Sequence, residues 1–254
     1  MAEAGQRTKW RGVYNDLHRQ IERGELSPGD QIPGEFELAD THKVSRSTVR
    51  TALIHLQQEG LITSGRGSLG RQVRERRPMW WNLASFENGD RRDDPQTGMD
   101  EWAAGVLEQG RVPKQEVAVS IQAAPPEIAS RLDIEPEGLA VRRQRVRFVD
   151  DVPYQLSTSW FPEHIARGTA LMEQRDLAMP GGVLRSIGHP QVRVRDEISV
   201  RMPTPAEVDQ LDLGMGMPVG QHIRTGYDAK GHALRVMVTV FPGDRQFLVY
   251  DLEV

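Results

Sequence analysis

Arg46 and Arg50 lie one helical turn apart and share a face with Ser47, while Val49, Ala52, Leu53 and Leu56 recur at i, i+3, i+4 and i+7 on the other side. A guanidinium is a planar fork of donors that matches the O6 and N7 acceptors of guanine in the major groove, with roughly 1–3 kcal/mol of discrimination for each good bidentate pair. Ser45 stands where an N-cap belongs. Its hydroxyl can hold the first free backbone N–H groups, which can also grip a phosphate. The alternative for this pattern is a solvated helix face whose arginines touch nothing.

The elements that must position these arginines run from Pro33 to Gly60, PGEFELADTHKVSRSTVRTALIHLQQEG. Two helical patterns flank a tight polar turn, and Gly60 supplies a stop, so the stretch predicts a helix-turn-helix with its second helix in DNA. Upstream, Val13, Leu17 and Ile21 form a helical stripe that closes at Gly24, followed by the Gly/Pro-dense turn GELSPGDQIP. Downstream, Leu61 to Ser64 and a segment ending near Val73 read as two short strands around Gly65-Arg66-Gly67. Together these predict a winged helix.

Gly24 to Pro33, then Val44-Ser45-Arg46-Ser47-Thr48-Val49-Arg50, then Glu59-Gly60-Leu61-Ile62 and Gly65-Arg66-Gly67 resemble the signature of GntR-family bacterial transcription regulators over about the first 75 residues. The resemblance implies base contacts from Arg46 and Arg50, contacts near the phosphates from Ser45, Ser47 and Thr48, and a wing tip, Gly65 and Arg66, that reaches toward the minor groove. The chain departs from the family at Phe36, which stands between Glu35 and Glu37 where an arginine is common. It departs again at Gly34, and at Ser68-Leu69-Gly70 in the wing.

The 254 residues carry a formal net charge of −4 and no cysteine, so disulfides and thiolate metal sites are excluded. Residues 1–77 hold 13 Lys plus Arg against 10 Asp plus Glu, a balance of +3 that leaves −7 for the remainder. A basic head on an acidic body suits a DNA binder. Arg66, Arg71, Arg74, Arg76 and Arg77 crowd the wing and its exit, where they are expected to track phosphates, a solvated charge run being the alternative. Gly65 to Gly70 spells the dinucleotide fingerprint G-x-G-x-x-G, but no buried strand precedes it and a polar strand follows, so no cofactor is expected. The seven histidines make no short metal-ligand spacing and no serine sits in a G-x-S-x-G elbow, so neither a metal site nor catalysis is expected. The N-terminal MAEAGQRTKW lacks an apolar h-region and no run approaches membrane-spanning length, which leads to the expectation of a cytoplasmic protein with no membrane partner.

The expected organisation is a DNA-binding domain over 1–77, a linker and loop over 78–98, and a second domain over 99–254. The linker brings Trp80, Trp81, Leu83 and Phe86, then a polar loop from Glu87 to Gly98. Asp93-Asp94 and Asp150-Asp151 read as turn residues rather than acid/base pairs. An internal repeat marks the second domain. Glu116 to Ile134 lines up with Glu197 to Leu213, with Pro126 on Pro205, Leu132 on Leu211 and Asp133 on Asp212. Val141 to Val149 then pairs with Val219 to Tyr227, and Trp160-Phe161-Pro162 with Val240-Phe241-Pro242. Each unit reads strand, short helix, hairpin, and two units predict one mostly antiparallel sheet with helices on a face, an α+β architecture with an internal two-fold.

Gly110-Arg111-Val112-Pro113, the helix near Pro125-Pro126-Glu127, and the Asp-Asp-x-Pro turn followed by Trp-Phe-Pro resemble the UTRA ligand-sensing domain of the HutC branch, over about Met99 to Val254. The resemblance implies a chorismate-lyase-like fold, small effectors such as sugar phosphates, and dimerisation. Period-2 alternation puts Arg143, Arg145 and Arg147 on one face, and Gln155, Ser157 and Ser159 on one face of the next strand. By the repeat, Arg145 overlays Arg224 and Arg143 overlays His222. Converging arginines and hydroxyls would hold a phosphate or carboxylate. Arg145, Arg147 and Ser157 fall at or near the family's effector positions, and Arg235 joins the candidate set, while glutamates the family often has at Ser157 and near Arg235 are absent. The alternative is a charged outer face of a half-solvated sheet. The whole predicts a homodimeric repressor on a near-palindromic operator, modulated by an anionic effector. A repressor that takes no ligand and a lyase-like enzyme are the other possibilities.

Overall fold

The structure, a computed structural model, describes residues 2–63 (side chains from residue 9), 70–74, 78–84, 100–179, 182–214 and 216–251. Gly65 and Arg66 at the expected wing tip, most of the Gly65–Gly70 run, Arg76, Arg77, Phe86, Glu87 to Gly98 and Asp93-Asp94 lie outside the described residues. The chain divides into two compact units, one of residues 1–77 with 213–217, the other of 78–212 with 218–254.

In the first unit, α1 (Ala2–Glu22), α2 (Glu35–Thr41) and α3 (Arg46–Gln58) close over one apolar core. Val13 and Leu17 from α1, Leu38 from α2, and Val49, Ala52, Leu53 and Leu56 from α3 are buried together, with Ile21 packed at the margin. Ser45 caps α3 as its sequence position predicts, its Oγ accepting from the Thr48 N–H at 3.2 Å. Gly60 takes the left-handed conformation (φ 67°) that lets the chain turn off the helix. Among the described residues, the expected wing strands show as antiparallel bridges, Ile62 with Val73 and Gln31 with Gln72. Residues 70–74 lie between two flanks and bond to both, with Thr63 N donating to Gln72 O and Ile32 N to Arg71 O.

The second unit carries β1 (Met79–Asn82), α4 (Glu101–Glu108), β2 (Pro113–Ala123), α5 (Pro126–Leu132), β3 (Leu139–Val149) and β4 (Val152–Pro162). After α6 (Glu163–Ala166) and α7 (Val183–Ser186) come β5 (Arg193–Arg201), α8 (Pro205–Gln210), β6 (Val219–Tyr227), β7 (Ala233–Pro242) and β8 (Gln246–Val249). The main sheet runs β2-β3-β4-β7-β6-β5, antiparallel throughout. The repeat is thus β2-α5-β3-β4 and β5-α8-β6-β7, related across the β4–β7 seam. Ala140 faces Pro162 and Val219 faces Pro242, so Ala140 is the equivalent of Val219, one residue before the Val141 that the sequence pairing begins on. That offset is what sets Arg143 on His222 and Arg145 on Arg224, because a slip of one residue would exchange the faces. Asp150 and Asp151 form the two-residue β3–β4 hairpin, both at positive φ. The linker segment packs as β1, which pairs parallel with β8 and buries Met79 and Trp81 against Trp102 and Val106 of α4.

Ile128, Ala129 and Leu132 of α5 cover one sheet face over Ala140, Trp160, Ile223 and Val236. Elsewhere α6 and α7 enclose Val141, Phe161 and Leu171. Among the described residues no helix is long and apolar enough to cross a membrane.

Candidate functional site

In the first unit, Arg46 and Arg50 project from the first turns of α3 and are about half exposed, at 49% and 56%. They do not hang free. Glu35, at the start of α2 and 17% exposed, accepts from Arg50 at 2.9 and 3.3 Å, lies 3.7 Å from Arg46, and accepts from Arg71 at 3.4 Å. The hydrogen bond from Arg50 holds the Glu35 carboxyl below its ordinary range against the opposing effect of burial. Arg46 also stacks on the Phe36 ring at 3.8 Å. Glu35 is the residue that sequence inspection missed. Its signal was an acidic first turn on α2, with nothing to say that three arginines converge on it. Arg71, expected on the phosphates, is 23% exposed and turned to Glu35 at 3.4 Å, so it shares that carboxylate with Arg46 and Arg50. Ser45 and Ser47 join through their hydroxyls at 2.8 Å, and Thr48 is buried beneath them.

In the second unit, cross-strand pairing places Arg145, Ser157, Thr239 and His222 in one row across β3, β4, β7 and β6. The next row is Arg143, Ser159, Met237, Arg224 and Asp196. The expected effector residues therefore share one face, and their environments differ. Arg143 is fully buried and donates to the carbonyls of Leu171, Glu173 and Arg175 at 2.6, 2.6 and 2.8 Å, so it is a clamp on that segment rather than an open donor. Burial pushes its guanidinium down to about 10, still charged at neutral pH. Arg147 is likewise occupied. It donates to Gln115 and Asp100 at 3.1 Å each and lies over the Trp102 ring, while Asp100 also caps α4. Arg224 grips Asp196 through two bonds of 2.7 Å, and His222 meets the same carboxylate at 2.7 Å. Arg235 stands on β7 opposite Gly226 of β6.

Arg145 differs from Arg143, Arg147 and Arg224 in making a single long hydrogen bond. Its Nη1 meets Ser159 Oγ at the limit of 3.5 Å, its buried Nε has no partner, and among the described residues no carboxylate lies within ion-pair distance. Burial pushes its guanidinium down, and the charges of Asp100 and Asp176 push it back up. The repeat explains the difference. Arg224 faces Asp196 across β6 and β5, whereas its equivalent Arg145 faces Val117 across β3 and β2. One lobe carries an internal counter-ion and the other an aliphatic side chain.

Residues 9–68 match the family described as bacterial regulatory proteins, gntR family, and residues 108–246, over half of the chain, match the UTRA domain. The chain belongs to the UTRA-bearing GntR family. An HTH-type transcriptional regulator of Streptomyces coelicolor is 28% identical over 97% of this GntR chain and 93% of its own. The HTH-type transcriptional repressor NagR of Bacillus subtilis is 25% identical over 95% and 93%. PhnF from Mycobacterium smegmatis shares the fold, with a TM-score of 0.58 at 23% identity over 95% of this chain and 99% of that one. This GntR chain is accordingly a transcriptional regulator with a DNA-binding head and a ligand-binding UTRA body, as its relatives are named regulators.

Proposed function

We propose that the chain is a HutC-branch repressor that binds a near-palindromic operator as a homodimer and is released by a small anionic effector bound at Arg145. The single observation behind the effector is the part-buried Arg145 guanidinium, whose buried Nε has no partner, set among the buried hydroxyls of Ser157, Ser159 and Thr239. A part-buried charge with no ion pair in contact is costly even with Asp100 and Asp176 nearby, and a phosphate or carboxylate would supply both the charge and the acceptors. Asp176 Oδ1 is also buried and unpartnered, which favours an effector that carries a hydroxyl or amine donor beside its anion. Arg143, Arg147, His222 and Arg224 take supporting roles, holding the walls. Arg46 and Arg50 read base edges, and the N-terminus of α3 with Ser45, Ser47 and Thr48 meets phosphates. Exposed Ile198, Val200 and Met202 on or beside the edge strand β5 suit a second copy of the chain. NagR is named a repressor, and an occluding dimer represses in the simplest way.

The test is a footprint on an operator selected with the full chain, repeated with a panel of phosphorylated and carboxylated metabolites. A member of the panel should raise the melting temperature and weaken the footprint, and Arg145→Met should abolish both effects. A footprint that no anion alters, or an anion response that survives Arg145→Met, would overturn the assignment.

A further inference from the structure

Among the described residues of the first unit, Phe36 is the large apolar side chain left in the open, 71% exposed. It is the second residue of α2, directly after Glu35. One side of its ring is taken by the Arg46 guanidinium at 3.8 Å, and Arg46 is in turn 3.7 Å from the Glu35 carboxylate. Cation–π stacking and the ion pair together restrict the ring's orientation. Such exposure has no folding rationale, since the α2 residue that enters the core is Leu38. The ring stands instead beside the face that carries Arg46 and Arg50.

The major groove offers one apolar feature, the 5-methyl group of thymine, and cytosine lacks it. An arginine fork and an aromatic ring in van der Waals contact are complementary to two neighbouring base pairs, one presenting guanine O6 and N7, the other presenting that methyl. We propose that Phe36 is a specificity-determining residue which reads the methyl group of a thymine next to the guanine read by Arg46. The proposal rests on α3 being the base-reading helix. Phe36 makes the apolar half of a composite reader, and Glu35 holds its polar half in place.

The experiment starts from operator sequences selected from random duplexes with the full chain. Each thymine is then replaced singly by uracil, which removes the methyl alone, and affinity is measured by fluorescence anisotropy at one salt concentration. One thymine per half-site should lose about fourfold on the change, the effect of one buried carbon group, and Phe36→Ala should bind the thymine and uracil duplexes equally. Phe36→Leu, which keeps an apolar contact, should retain part of the difference. No methyl-sensitive position, or a sensitivity unchanged in Phe36→Ala, overturns the proposal. Arg46→Ala on the same duplexes separates the two levels. If it reduces specific and random binding equally, the base-reading assignment of α3 fails, whereas a selective loss with no methyl effect refutes Phe36 alone. Because Phe36 is exposed, all variants should melt as the parent does, and the melting curve is the control.

Discussion

Replacing Arg143 with methionine separates a clamp from a ligand. The substitution removes donors from the carbonyls of Leu171, Glu173 and Arg175. Hydrogen bonds to a charged group contribute about 1.5–3 kcal/mol each, and a buried acceptor left unmatched costs about 1–3 kcal/mol. Methionine refills much of the volume and no longer buries a charge beside Arg145, which offsets part of the loss. A net destabilisation of about 3 kcal/mol remains, and at about 2–4 °C per kcal/mol for a unit of this size the midpoint should fall by about 6–12 °C without any ligand. Hydrogen exchange should accelerate across residues 171–175. Arg145→Met should do the reverse in the free protein, raising the midpoint by removing a part-buried charge that has no ion pair in contact. Calorimetry with exchange mass spectrometry reads both. An Arg143→Met protein that melts within about 2 °C of the parent, with exchange unchanged, would refute the clamp and return Arg143 to the ligand set.

Arg46→Ala or Arg50→Ala should cost about 1–3 kcal/mol on the selected operator and little on random duplex, measured by competition at fixed salt. Burial alone would raise the Asp196 carboxyl, but hydrogen bonds from Arg224 and His222 hold it well below the ordinary carboxylate range. A depressed folded value contributes stability above the unfolded value of about 3.9, and that stability is lost as pH falls through the folded value. The melting temperature should therefore drop below about pH 4, and Asp196→Asn should flatten that part of the profile while lowering the neutral plateau. Val200, 73% exposed on an edge strand, should give monomers in sedimentation when changed to lysine, since a two-fold interface would bring like charges together.

Much of the scaffold was legible because its signals are local. The stripe of α3, its Ser45 cap and the Gly60 stop are all decided within a turn or two of chain. The duplication was visible through paired prolines and leucines, and its register was off by one at Val141 because strand ends are weakly specified by apolar residues alone. What escaped was non-local. Met79–Asn82 is too short to declare a strand, and its partner β8 arrives more than 160 residues later. Alternation placed Arg143, Arg145 and Arg147 on one face but could not rank them, since their difference is made by residues 171–175, Asp100 and Val117. Glu35 drew no notice for the same reason, its partners being 11, 15 and 36 positions away.

The contrast between Val117 and Asp196 has a practical corollary. In the later half of the duplicated body, Asp196 occupies the place that the proposed anion would take beside Arg145 in the earlier half. Exchanging the two residues, an aspartate for Val117 and a valine for Asp196, should leave Arg224 rather than Arg145 without a carboxylate opposite it. The switch would then answer its inducer from the mirror side of the same scaffold.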